Sequence, residues 1–279
     1  MKVQEFDVER YCFSLKFVLN TVEFQKIIVP PQGGGMEIAM FFGLFWGDWT
    51  ILVLIPAMIF SFWAQIKVNS TFQKYAKVGN RHGLTGAEAA RRVLDASGLY
   101  HVRIERVRGH LTDHYDPREN VIRLSDATYN STGIAALGVA AHEAGHACQH
   151  AENYVPIRVR AAIIPLTRFG SMLSMPLFLI GMLFAGGATV GGNIGELLML
   201  TGILFFSFST LFQLVTLPTE FNASARAMKA LESGHILYAD ELPAARQTLN
   251  AAAMTYVAAL ASSLASLLRL ILIFNGRRD

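Results

Sequence analysis

The chain has 279 residues, enough for one or two ordinary domains, but 52% of them are hydrophobic and only 16% are charged. Soluble domains carry about 25% charged residues, so the composition argues against a soluble protein and predicts a membrane protein. The net charge is only +3 and no segment is rich in lysine or arginine, which argues against nucleic acid as a partner. Two cysteines, Cys12 and Cys148, are too few for a disulfide framework. We expect Cys148 to be a buried packing residue rather than a redox group or metal ligand.

The first 35 residues differ from the rest of the chain. They mix polar and apolar residues and lack the apolar core of a signal peptide. The sequence Gln-Gly-Gly-Gly at 32–35 directly precedes Met36, and codons for these four residues can form a purine-rich ribosome-binding site. We therefore expect Met36 to be the initiator, residues 1–35 to be a non-native or disordered extension, and residues 36–279 to form one membrane-embedded domain.

Four stretches almost free of charge are long enough to cross a lipid bilayer, which requires about 20 apolar residues. They cover residues 49–66, 169–188, 197–217 and 251–274. The glycine-rich residues 186–193 predict a hairpin turn between the second and third stretches. We therefore expect a mainly α-helical, polytopic membrane protein with about four transmembrane helices.

Two polar segments, residues 67–157 and 218–250, lie between these stretches. The first predicts a small α+β unit, and the second is mainly helical in pattern. In the first segment we expect a helix from the Thr85–Glu88 capping box to about Ala96, a strand over 102–107, a turn over 113–117, a strand over 121–124 and a long helix over about 132–151.

The positive charges predict how the chain is oriented, because lysine and arginine are enriched on the cytoplasmic side of membrane proteins. Two crossings separate the two polar segments, so both lie on one side, and the charges predict that this side is cytoplasmic. The residues behind this prediction are Lys67, Lys74, Lys77, Arg81, Arg158, Arg160, Arg168, Arg226, Lys229 and Arg246. The C-terminal Gly-Arg-Arg-Asp does not fit, so either the fourth helix is tilted or interfacial, or the rule fails at this end.

The sequence His142-Glu143-Ala144-Gly145-His146 lies in the predicted long helix. Residues four apart share a helical face, so His142 and His146 can bind one Zn²⁺ through their ring nitrogens. Glu143 is then placed to act as the general base and acid toward a metal-activated water. The alternative is a pair of ordinary histidines without a metal.

A catalytic zinc usually needs a third protein ligand, and Glu220 is the best candidate. Ala223, Ser224 and Ala227 would give its helix a small-residue face that can approach the motif helix closely. A carboxylate that caps the first turn of a helix is the alternative interpretation of Glu220. Glu152 is a weaker candidate ligand, because ten residues at 100° each place it nearly opposite His142.

Other polar residues allow more than one interpretation. His150 lies eight residues after His142, so it is either a further site residue or an ordinary packed histidine. A carboxylate in the turn of His110, Asp113, His114, Tyr115 and Asp116 could orient a ligand histidine, although an ordinary turn is the safer interpretation. The strand at 121–124 could offer its edge to an extended peptide.

Several motifs in the same order resemble the YugP-type neutral zinc metallopeptidases of bacteria, over about residues 45–275. These motifs are Asp-His-Tyr-Asp-Pro-Arg at 113–118, Gly-Val-Ala-Ala-His-Glu-Ala-Gly-His-Ala at 138–147, Gln-His-Ala at 149–151 and Leu-Pro-Thr-Glu-Phe-Asn-Ala-Ser at 217–224. Glu220 matches the glutamate of the family's downstream motif. Asn222 stands where the family often has aspartate, so we assign position 222 no catalytic role.

The resemblance implies a multi-pass protein of the bacterial plasma membrane with one Zn²⁺ per chain. It implies that His142, His146 and Glu220 are the metal ligands, in a gluzincin-like set, and that Glu143 is the catalytic acid and base. The layout is also similar to HtpX-like membrane endopeptidases, with a small zincin-like α+β catalytic unit formed by residues 67–157 and 218–250.

The sequence therefore predicts a zinc endopeptidase that cuts membrane or membrane-proximal polypeptides on the cytoplasmic side. The alternative is a non-catalytic membrane scaffold or adaptor with a structural zinc. An intact Glu143 argues against that alternative, because a structural site needs no base beside its ligands.

Overall fold

The computed structural model describes residues 49–185 and 191–276, so the expectation for residues 1–35 lies outside the described residues. By contacts the chain divides after Ile51, and in its described part the second unit contains six α-helices and three β-strands. In chain order its elements are α1 (Leu54–Ala76), α2 (Gly86–Ala96), β1 (Arg103–Val107), β2 (His114–Asp116), β3 (Val121–Ser125), α3 (Ile134–Ala151), α4 (Val155–Phe184), α5 (Gly191–Ser233) and α6 (Leu242–Asn275).

Four of these helices confirm the predicted mainly α-helical membrane fold. An apolar window long enough to cross a membrane occurs in each of the helices α4, α5 and α6 and in the helical segment Trp49–Ala76, which includes α1. Only 11–28% of the residues in these windows are buried within the protein, so most of their apolar side chains face outward, where lipid would contact them. The helices extend beyond the predicted apolar stretches, and α4 begins at Val155. Hydropathy marks only the apolar part of a helix, whereas its backbone hydrogen bonding continues into the polar segments.

The helix α5 differs from the expectation for residues 218–250. It runs without interruption through Pro218 to Ser233, so Glu220 lies in the middle of a long helix and not in a first turn. The alternative interpretation of Glu220, as a carboxylate that caps the first turn of a helix, was therefore wrong. Proline lacks the backbone N–H and usually kinks or ends a helix, but packing of α5 along α4 and α3 holds the helix together on both sides of Pro218.

The predicted α+β unit is confirmed, with a three-stranded sheet in the order β1-β3-β2. The strand β3 is parallel to β1 and antiparallel to β2. It is therefore the central strand, and the expectation that residues 121–124 offer a free edge was wrong. The turn expected over 113–117 instead contributes β2, which is an edge strand. A capping box of Thr85 and Glu88 begins α2 as expected.

The helix α3 carries the motif through the centre of this unit. Most of its residues are buried, and Leu137, Ala140 and Ala144 belong to a core that also contains residues of α2, β3, α5 and α6. Gly133, at its N-terminus, approaches α1 so closely that a Cβ atom there would lie 2.3 Å from the backbone oxygen of Ala76. This contact fixes where α3 begins and hence where its histidines lie.

Candidate metal centre

Two histidine side chains project from one face of α3. His142 and His146 are one helical turn apart, and their ring centroids lie 4.7 Å from each other. The rest of this part of α3 consists largely of alanine and glycine, so its neighbours can approach closely. Both rings are only partly buried, which leaves the site open on one side.

The third group comes from α5. A Cβ atom on Gly145 would lie 2.7 Å from the backbone oxygen of Ala223, so the two helices touch through their backbones at this point. This contact brings Glu220 Oε2 to 3.3 Å from His142 Nε2 and 3.4 Å from His146 Nε2. The expectation that small residues of α5 allow a close approach is confirmed.

These three side chains are a group that could hold a metal ion, with ligand atoms within 4.8 Å of one another. Bonds of about 2.0–2.1 Å in a tetrahedral zinc site separate neighbouring ligand atoms by roughly 3.3 Å. The two histidine–glutamate separations match that value. Two imidazoles and one carboxylate also form a donor set typical of catalytic zinc, with one position left for water or substrate.

The second nitrogen of each ring has a neutral partner. His142 Nδ1 lies 3.1 Å from Ser224 Oγ, and His146 Nδ1 lies 3.0 Å from Gln149 Oε1. The Gln149 amide donates in turn to the backbone oxygen of Thr219 and to Asn222 Oδ1. The carboxylates near residues 113–116 do not orient the ligand histidines, so that hypothesis was wrong. Side chains of α3 and α5 orient them instead.

An arginine of α4 completes the surroundings of the glutamate. Arg160 Nη1 donates to Glu220 Oε1 over 3.1 Å, and its guanidinium group lies over the ring of Phe212. The two carboxylate oxygens of Glu220 therefore have separate partners, the histidines at Oε2 and the arginine at Oε1. Because Glu220 is buried, the positive charge of Arg160 also compensates its negative charge.

Glu143 is buried beside this group. Burial raises the pKa of its carboxyl to about 7, and the nearby charges of Asp113 and Glu220 act in the same direction, whereas His142 opposes them. The backbone N–H of Tyr115 also favours the charged form of Glu143, which places β2 next to the carboxylate. A carboxyl with a pKa near neutrality can both accept and release a proton at physiological pH.

The remaining candidates lie outside the metal-binding group. Glu152 is exposed and forms an ion pair with Arg226, so the interpretation of Glu152 as a ligand was wrong. His150 packs against the ring of Tyr115, and burial lowers its pKa to about 4, so it is neutral at pH 7. Cys148 is buried and free, as expected for a packing residue.

Further turn residues also have structural partners. Asp113 accepts hydrogen bonds from the backbone and side chain of Ser125, and His114 Nδ1 lies 2.9 Å from the backbone oxygen of Thr112. The bonds of Asp113 to Ser125 hold the loop before β2 against β3.

Sequence reasoning missed Arg160 and Gln149 as neighbours of the ligands. Arg160 was used only as a membrane-orientation charge, and Gln149 only as part of a motif that resembles the family. One signal was available for Gln149, because it lies three residues after His146 and so shares its helical face. No local signal connects Arg160 to Glu220, since they are 60 residues apart.

The fold and site define a membrane protein with a candidate centre of two histidines and one glutamate. Over residues 50–275 the chain matches the family described as "Putative neutral zinc metallopeptidase", and it belongs to that family. It is also 47% identical over 229 residues to the "Putative membrane protease YugP" of Bacillus subtilis (strain 168), an alignment that covers 82% of this chain and 98% of that relative. No solved structure matches the chain. The resemblance stated from the motifs is confirmed.

Proposed function

We propose that the protein is a zinc-dependent membrane endopeptidase in which His142, His146 and Glu220 hold one zinc ion per chain. The observation that carries this proposal is the convergence of three ligand atoms from α3 and α5 at separations suited to tetrahedral zinc. If Nε2 of each ring binds the metal, Nδ1 would carry the proton and donate it to Ser224 Oγ or Gln149 Oε1. These bonds hold each ring in the tautomer that ligation requires.

Glu143 is proposed to move the proton during hydrolysis. Zinc bound at the site would polarise the scissile carbonyl and make a water molecule more acidic. Glu143 takes a proton from that water as its oxygen attacks the carbonyl carbon. It then delivers the proton to the amide nitrogen as the carbon–nitrogen bond breaks, so one water is consumed for each bond cut. The raised pKa of Glu143 suits both steps.

The substrate is proposed to be an extended segment of a membrane or membrane-proximal polypeptide. Among the described residues β2 pairs only with β3, so its other edge is open for strand addition. Tyr115, in the middle of β2, lies next to Glu143, so a peptide along this edge would pass close to the catalytic carboxylate. The positive charges of the polar segments support an active site on the cytoplasmic side of a bacterial plasma membrane.

A scaffold with a structural zinc is the competing function. A structural site needs four filled positions and no base. This site instead offers three candidate ligands with a buried carboxylate beside them, which favours catalysis.

The decisive variant is Glu143→Gln, with Glu152→Gln as a matched control, since Glu152 belongs to the end of the same helix but pairs with Arg226 at the surface. Each purified variant is assayed for zinc content and for cleavage of an unfolded protein in detergent. We expect Glu143→Gln to retain zinc and lose about 10²–10⁴-fold in kcat, while Glu152→Gln cleaves like the wild type. Wild-type cleavage by Glu143→Gln would refute the peptidase mechanism.

A further inference from the structure

A buried polar stripe continues from the metal centre along α5 into its apolar window. Gln213, Thr216 and Glu220 are spaced so that they share one helical face, and their exposed fractions are 7%, 0% and 3%. The helix that contains them has an apolar window long enough to cross a membrane. Polar side chains on the inner face of such a helix usually hydrogen-bond to a neighbouring helix, so the question is which partners Gln213 and Thr216 have.

Neither side chain has its hydrogen bonds satisfied by protein. Within residues 49–185 and 191–276, Gln213 Oε1 and Thr216 Oγ1 are buried and have no hydrogen-bond partner. Other buried hydroxyls between these helices are paired, as Thr210 Oγ1 is with Ser263 Oγ over 2.8 Å. Buried polar atoms in proteins are nearly always satisfied by protein or by bound water, because an unmade bond carries the full cost of desolvation.

The Thr216 hydroxyl also makes no hydrogen bond to a carbonyl of its own helix. Threonine in a helix commonly donates to the carbonyl one turn earlier, as Thr167 does to Ile163 and Thr219 does to Val215. The Thr216 hydroxyl makes no such bond, so it remains available to a ligand.

We infer that Gln213 and Thr216 bind water in a recess inside the helix bundle, next to Glu220. Side chains three residues apart on a helix are about 5–6 Å apart at Cβ, a span that one water can bridge. Water suits the two atoms, because it can donate to an amide oxygen and either donate to or accept from a hydroxyl. A buried water typically makes about three hydrogen bonds. A charged ligand fits less well, because Arg160 already compensates the nearby charge of Glu220.

The recess gives the site a source of water on the membrane side. Hydrolysis consumes one water per peptide bond, and a bound polypeptide would cover the open side where His142 and His146 are partly exposed. Water held one and two turns from Glu220 can replace the molecule that has reacted. This role rests on the proposed function, whereas the hydration of the recess does not.

Cysteine labelling tests the hydration directly. In a full-length version that lacks both natural cysteines, Thr216→Cys and Gln213→Cys are compared with Leu211→Cys and Leu214→Cys, whose side chains lie at similar heights on α5 but are exposed on its outer face. Membranes are exposed to a short X-ray pulse, which converts bound water in place to hydroxyl radicals, and the oxidation of each cysteine is measured by mass spectrometry. We expect the two recess positions to react at least tenfold faster than the two lipid-facing ones. Equal rates at all four positions would overturn the inference, and the assay needs no peptidase activity.

The isosteric variant Thr216→Val gives a second measurement, with Thr201→Val as its control, because the Thr201 hydroxyl bonds to its own helix. If Thr216 Oγ1 binds water, Thr216→Val gives no higher Tm than Thr201→Val. We also expect kcat of Thr216→Val to fall at least threefold at unchanged zinc content. A higher Tm for Thr216→Val would show a dry, unsatisfied hydroxyl and would overturn the inference. An unchanged kcat would overturn the supply role.

Discussion

The two halves of the metal centre are built in different ways. The helix α3 contributes two histidines whose relative position is set by one turn of helix. The helix α5 contributes Glu220, 78 residues after His142, and its position depends on how α5 packs on α3 and α4. The comparison shows that one half of the centre is secured by local geometry, whereas the other half depends on contacts between helices.

Removal of Glu220, the proposed ligand from α5, should have the largest effect. We expect Glu220→Ala to weaken zinc binding by more than about a hundredfold, beyond the tenfold to hundredfold that changes around ligands typically cause. Competition with a chromogenic chelator measures the affinity. Glu152→Ala, the rejected candidate ligand, serves as the control and should bind zinc normally. Equal affinities for the two variants would remove Glu220 from the ligand set.

The next largest effect on zinc binding is expected for Arg160, which donates to Glu220 Oε1. We expect Arg160→Met to weaken zinc binding by about tenfold to a hundredfold, because Glu220 loses the donor to Oε1 and the charge that compensates its own. Arg158→Met is the matched control, since Arg158 belongs to the same helix but is exposed. The chelator assay should separate the two variants, and identical affinities would show that packing alone positions Glu220.

A smaller effect is expected where α3 and α5 touch. Glycine to alanine normally stabilises a helix interior by about 0.8–1.0 kcal/mol. At Gly145, however, the new methyl group would meet the Ala223 backbone at 2.7 Å, and such overpacking costs about 1–3 kcal/mol. At Gly138 the nearest atom of another residue would be 3.8 Å away. We therefore expect thermal unfolding to show a lower Tm for Gly145→Ala and an unchanged or higher Tm for Gly138→Ala. The opposite order would contradict the close contact.

The smallest effect is expected for a single hydrogen bond to a ligand ring. Ser224→Ala removes the partner of His142 Nδ1, and a bond worth about 1 kcal/mol corresponds to roughly fivefold in zinc affinity. Ser207→Ala, where the hydroxyl bonds only to its own helix, should leave the affinity unchanged. If Ser224→Ala also leaves it unchanged, His142 is held by packing and not by this bond.

Much of the fold followed from the sequence because its signals are local. The capping box before α2, the apolar stretches of four helices and the spacing of the motif each depend on residues close in the chain. The sheet order did not follow, because periodicity predicts a strand without its neighbours, and β3 proved to be central. The continuity of α5 through Pro218 was also missed, because a proline is a local signal for a break, whereas the packing that overcomes it is not local.

The sequence by itself determined the pairing of His142 with His146 and the presence of Glu143 between them, since helical geometry leaves little freedom over four residues. It also favoured Glu220 over Glu152 as the third ligand. Only the tertiary structure placed Glu220 beside the rings and left Glu152 at the surface with Arg226. The reason is physical: whether a distant carboxylate reaches a histidine depends on the distance between two helix axes, and that distance is set by contacts such as Gly145 on Ala223.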